Sequence, residues 1–111
     1  MAQSKRQSKE SPVKSAATVA LGKRVRSMRL AMGASQETLA ELANLHWTFI
    51  GQVERGLRNV TFHNLIRLAD ALGTDPGELI TGIGVDQLPE PRRRSSKADE
   101  IRRDRATPQD S

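Results

Sequence analysis

Apolar residues recur at helical spacing through the middle of the chain, and nowhere do they alternate as along a half-buried strand. Leu21, Val25, Met28 and Met32 follow at intervals of four, three and four, which puts them on one face of a first helix. Gly33 ends that helix and Ser35 caps the next. Leu39, Ala40, Leu42 and Ala43 make a short second helix, and Ile50 and Val53 anchor a third that stops at Gly56. Thr61 caps a fourth, with Leu65, Leu68, Ala69 and Leu72 on one side and Gly73 past its end. Asp75-Pro76-Gly77-Glu78 supplies a cap, a first-turn proline and an early acid, and opens a fifth helix too short to survive without packing by Leu79 and Ile80. The pattern predicts an all-α fold: a compact five-helix domain over residues 18–84.

The ends break this pattern. Residues 1–17 are rich in Ser, Lys, Gln and Ala without periodicity and read as a disordered basic N-terminal arm. Residues 85–111, with Pro89, Pro91 and then Arg92-Arg93-Arg94, read as a charged, disordered C-terminal tail. Within it, Ser96 and Asp99 can start a short helix through Arg105, but with only Ile101 and alanine to bury it should not hold alone.

Residues 36–52 meet a demanding set of constraints together. Two helices that cross steeply through a three- or four-residue turn need a small residue at the crossing, supplied by Ala40, and a turn residue that tolerates positive φ, supplied by Asn44. The inward positions must be apolar, and Leu39, Ala43, Leu45, Ile50 and Val53 are. The other side chains of the third helix then point outward. This is the pattern of a helix-turn-helix with its second helix at 47–54.

Charge qualifies the picture. The 111 residues carry a formal net charge of +5, which draws a protein to polyanions without choosing between nucleic acid and acidic membrane. Residues 19–84 hold seven basic and six acidic residues, so the excess sits in the tails and recognition must come from the arrangement of charges in the core. The absence of cysteine excludes disulfides, thiolate metal sites and cysteine nucleophiles, and fits a reducing cytoplasmic setting. No run of about 18 apolar residues is present, so no membrane association is expected. His46 and His63 are the only histidines and have no carboxylate pair at ligand spacing, so neither a metal nor another cofactor is expected. No phosphate-cradling glycine loop or nucleophile–base pairing marks an enzyme.

Ser35-Gln36-Glu37-Thr38-Leu39-Ala40, the run Leu45-His46-Trp47-Thr48-Phe49-Ile50-Gly51-Gln52-Val53-Glu54-Arg55-Gly56, then Arg58-Asn59 and Leu68-Ala69-Asp70-Ala71-Leu72-Gly73 carry a family likeness. With them, residues 21–80 resemble the phage-repressor and Cro-like (Xre-type) helix-turn-helix transcriptional regulators, and residues 45–59 most resemble the controller regulators of restriction–modification systems. The chain departs from the family pattern where Asn44 stands for the usual glycine, His46 for a Ser or Thr cap, and Val60 for a proline. How the helix after His46 is capped is left open.

The resemblance implies a lambda-repressor-like domain that binds double-stranded DNA sequence-specifically, with the third helix in the major groove. Gln36 would hold a phosphate at the second helix start. Trp47, Thr48 and Gln52 would face base edges, and a glutamine can pair bidentately with adenine. Arg58 and Asn59 would grip the backbone, and Arg29 and Glu54 would form a semi-buried salt bridge tying the first helix to the third. A homodimer is expected, joined through Leu79, Ile80 and Ile83, and acting as a repressor by occlusion with no small-molecule effector.

Other readings stand beside these. Trp47 divides between groove contact and partial packing, and Phe49 between core and rim. Gly51 points to close approach of a helix or of DNA. The basic residues Lys5, Arg6, Lys9, Lys14 and Arg92-Arg93-Arg94 read as solvated tails or as non-specific phosphate contacts. The whole chain can be an antitoxin or adaptor-type protein-interaction module working through residues 85–111, or a non-specific nucleoid or RNA binder working through its tails.

Overall fold

The computed structural model describes residues 14–89 and 95–106, and every regular element among them is helical. The first helix, α1 (Ala16–Ala31), starts from a reciprocal cap. The Thr18 N–H donates to Ser15 Oγ at 3.2 Å and the Ser15 N–H to Thr18 Oγ1 at 2.9 Å. The helix thus begins two residues inside the segment 1–17 expected to be an unstructured arm, because Ser15 and Thr18 stand at capping-box spacing. The remainder of that segment, to residue 13, lies outside the described residues.

Helix α2 (Gln36–Ala43) follows from Ser35, whose Oγ accepts from the Thr38 N–H at 3.0 Å. It ends on Asn44 at φ 59°, and the Leu45 N–H reaches back to the Ala40 carbonyl at 2.9 Å, a Schellman-type closure. Asparagine meets the left-handed requirement of the turn as its short side chain allows. Helix α3 (Trp47–Glu54) closes through Gly56, and α4 (Phe62–Leu72) runs from the Thr61 cap to Gly73. Helix α5 (Pro76–Ile80) starts with the Asp75 carboxylate accepting from the Gly77 N–H at 2.9 Å.

Leu21 and Val25 of α1, Leu39 and Ala40 of α2, Ile50 and Val53 of α3, Leu68 and Ala69 of α4 and Leu79 of α5 form the core, edged by Met28, Leu45, Phe49, Val60, Leu65 and Leu72. Two expected positions are corrected. Met32 ends α1 as its C-cap and is exposed; the next turn of the buried face after Val25 is filled by Arg29. Leu79 has no exposed surface, so it belongs to the core and cannot join a dimer interface.

Helical geometry continues past residue 84 among the described residues. A 3-10 turn covers Val85–Gln87, and Leu88 and Pro89 line an open apolar groove with Ile80, Ile83, Leu65 and Leu21. A further helix, α6 (Ser96–Ala106), covers the stretch where a short helix was expected from the sequence, and its one large apolar side chain, Ile101, is 45% exposed. Ser95, not Ser96, caps it: its Oγ accepts from the Ala98 N–H at 3.1 Å. Asp99 in the first turn and Arg103 and Arg105 in the last complement the helix dipole. Residues 90–94, including the three arginines, and 107–111 lie outside the described residues.

Candidate nucleic-acid interface

Three helices are locked together by one charged pair. Arg29 on α1 meets Glu54 at the end of α3 through Nε to Oε2 at 2.6 Å and Nη2 to Oε1 at 3.0 Å. Both side chains are nearly sealed from solvent, at 9% and 3% exposure. Arg29 Nη1 also donates to the Ala34 carbonyl at 2.9 Å, and Gln36 Nε2 at the start of α2 donates to Glu54 Oε1 at 3.0 Å. The hydrogen bond that Arg29 donates to Glu54 raises the Arg29 pKa above its ordinary value, against the opposing effect of burial. No described buried side-chain polar atom lacks a partner. The cost of burying the charges is met by complete hydrogen bonding.

Gln36 is therefore a strut as well as a surface residue: one donor of its amide is committed inward, and the other remains to it. It also covers Gly51, since a Cβ there would lie 3.4 Å from Gln36 Oε1 and 3.6 Å from Arg55 Nη1. These nearest neighbours are side-chain atoms at ordinary contact distance.

His46 answers the open question of the α3 cap. Its Nδ1 accepts from the Thr48 N–H at 3.1 Å and lies 2.7 Å from Thr48 Oγ1. A nitrogen that accepts from a backbone N–H carries no proton, so towards the same nitrogen the Thr48 hydroxyl acts as donor. Thr48 is exposed and keeps its oxygen lone pairs and methyl for the outside. Trp47 is half exposed and stacks on His46, with centroids 6.0 Å apart and planes at 24°. It lies on the surface beside Thr48 and outside the core.

One turn on, Gln52 is partly buried and Arg58 and Asn59 are exposed. Arg58 folds back across the Gly56 turn, its Nε donating to Gln52 Oε1 at 2.8 Å and its guanidinium lying 5.2 Å from the centroid of Phe49. Gln52, Leu57, Arg58 and Asn59 line one shallow cleft at the end of α3. The structure thus gathers Thr48, Gln52, Arg58 and Asn59 along one edge, with Trp47 at its start and Gln36 behind. All are polar or amphipathic groups, and Trp47, Thr48 and Gln52 stand on a helix whose other side is fixed to the core.

Three contacts that hold this edge in place escaped the sequence reading. Thr18 Oγ1 donates to the Gly56 carbonyl at 2.7 Å, tying the start of α1 to the turn after α3. Gly22 lies against the backbone of Val53 and Glu54. Arg24 Nη1 donates to the Leu79 carbonyl at 3.1 Å, tying α1 to α5. The Ser15-Thr18 spacing was a readable signal for the first cap; nothing local marks the other contacts.

Among the described residues no group of His, Asp and Glu has the makings of a metal site, and no helix is long and apolar enough to cross a membrane. The sequence pattern of the helix-turn-helix family matches residues 25–79. Control protein C.SmaI of Serratia marcescens is 51% identical over 65 residues, which cover 59% of this chain and 77% of that one. The crystal structure of the restriction–modification controller protein C.AhdI from Aeromonas hydrophila matches with a TM-score of 0.55 at 50% identity, over 56% of this chain and 94% of that one. The P22 c2 repressor, solved in complex with a synthetic operator, matches with a TM-score of 0.53 at 29% identity, over 56% and 94%.

Proposed function

We propose, since this chain belongs to the helix-turn-helix family of DNA-binding transcriptional regulators, that it is a cytoplasmic, homodimeric operator-binding protein of the controller kind that represses by occluding a promoter. Helix α3 enters the major groove. Thr48 and Gln52 meet base edges, and Trp47 packs on sugar and methyl groups beside them. Gln36, Arg58 and Asn59 contact phosphates and set the register, as backbone contacts do in DNA-binding proteins generally. The family is one of binding proteins, and the reading involves no catalytic step, metal or small-molecule effector.

The observation that carries this is the placement of α3. Its inner face is sealed against the core, its C-terminal end is pinned by the Arg29–Glu54 pair, and Thr48 and Gln52 remain on the outside. A helix fixed so firmly, with polar side chains presented outward, is suited to reading a rigid partner surface.

Pairing of two copies is supported by the apolar surface around α5. Ile80 is 46% exposed, Val85 66% and Leu88 53%, and Ile83 lines the same groove. Symmetric pairing would set two recognition helices about 34 Å apart, one turn of the duplex. Selection from randomised duplexes with the full chain tests the reading. A two-fold symmetric motif is expected, with bound stoichiometry of two chains per site. Equal binding to all duplexes would leave only tail-driven attraction to polyanions.

A further inference from the structure

Gln52 does not face the groove as a free amide. Arg58 Nε lies 2.8 Å from its oxygen, and the Arg58 guanidinium is held in turn over the ring of Phe49. Phe49 packs against the core, so the support runs from the core through Phe49 and Arg58 to Gln52. Arginine has only donors, so the amide edge that meets it must be the carbonyl oxygen. The NH2 group then occupies the opposite edge. What the pair offers a base is the N–H donors of Gln52 Nε2 beside the positive charge of Arg58, whose terminal nitrogens are left for the neighbouring phosphate.

This changes which base the site fits. A free glutamine reads adenine by donating to N7 and accepting from the N6 amino group. Here one lone pair of the accepting oxygen is engaged, and an amino group seeking the other would have to approach a guanidinium that repels donors. Guanine presents two acceptors, N7 and O6, on the same edge, and meets the Gln52 donors without bringing an amino group towards that charge. Resting on the reading of α3 as the recognition helix, we propose that Arg58 is a positioning residue for base readout: it orients Gln52 so that the pair selects guanine where Gln52 alone would select adenine.

The test is selection and competition binding with the full chain and single-site variants, scored at the base pair whose preference disappears in Gln52→Ala. The wild type should favour guanine over adenine there by roughly 5- to 150-fold, the range for one good bidentate contact. Arg58→Met should bring that ratio to parity or reverse it towards adenine. Arg58→Lys keeps the charge but lacks the Nε donor, so it should restore the salt dependence of binding without restoring the guanine preference. Arg58 is exposed, and unchanged circular dichroism melting would show that folding is not the cause.

Adenine at that position in the wild type would overturn the proposal. So would an Arg58→Met variant that binds every sequence more weakly by one common factor while keeping the wild-type preference; that result leaves the recognition-helix reading standing. A wild type that selects no motif at all overturns both.

Discussion

A Cβ added to Gly22 would fall 2.2 Å from the carbonyl oxygen of Val53, and 2.8 Å from that of Glu54. Helix α1 therefore touches the end of α3 backbone to backbone. Alanine would suit a helix better by about 1 kcal/mol in open surroundings, but neither carbonyl can move without dragging the recognition helix. Gly22→Ala is expected to destabilise by about 1–3 kcal/mol or more, the cost of overpacking a tight contact, and to weaken DNA binding beyond the loss of folded protein. Urea denaturation read beside binding at a temperature where the variant is folded checks both parts.

Gly51 makes the opposite case. It is also buried within a helix, yet a Cβ there would meet only side-chain atoms at 3.4 Å and beyond. Gly51→Ala should raise stability by about 0.5–1 kcal/mol, measured as a higher urea midpoint with an unchanged slope. A drop in stability would mean that Gln36 cannot yield.

The Arg29–Glu54 pair predicts strong non-additivity. Glu54→Ala leaves a buried guanidinium and the Gln36 amide without their acceptor, and should cost about 3–5 kcal/mol. The double change Arg29→Met with Glu54→Leu removes both charges and should cost less than Glu54→Ala alone. A double-mutant cycle by chemical denaturation reads the coupling. Additive losses would show that the pair acts as two separate surface charges.

The His46 cap predicts a smaller and local effect. His46→Ala removes the acceptor for the Thr48 N–H and should cost about 0.5–2 kcal/mol. His46→Ser supplies an acceptor of the kind the family uses and should lie within a few tenths of the wild type by the same cap scale. It should nevertheless alter base preference at the Thr48 position, because the hydroxyl of Thr48 loses the ring nitrogen that orients it. Thermal melts and selected motifs separate the two consequences.

Much of this architecture was legible because its determinants are local. Ser35, Thr61, Gly33, Gly73 and Asn44 each act within a turn or so of chain, and the 3.6-residue period of α4 places Leu68 and Ala69 unambiguously inside. Arg29 and Glu54, 25 residues apart, could be paired only through likeness to known regulators. The Thr18–Gly56, Arg24–Leu79 and Gly22–Val53 contacts join positions that no periodicity relates. Leu79 and Ile80 were indistinguishable for a physical reason: five residues make too little helix for a period to say which of two adjacent apolar side chains turns inward. Gln52 and Arg58 stood in view as separate residues, but their bond depends on the chain doubling back through Gly56, which a linear reading does not weigh.

The hydrogen bond from Arg24 to Leu79 gives α1 a second attachment, at the far side from Arg29. One rod thereby carries the reading helix and the element beside the apolar groove, and the two behave as jaws of a caliper with no adjusting screw. A dimer built on such subunits cannot stretch to follow its site. An operator lengthened by a single base pair between its halves should lose one arm's worth of contacts outright.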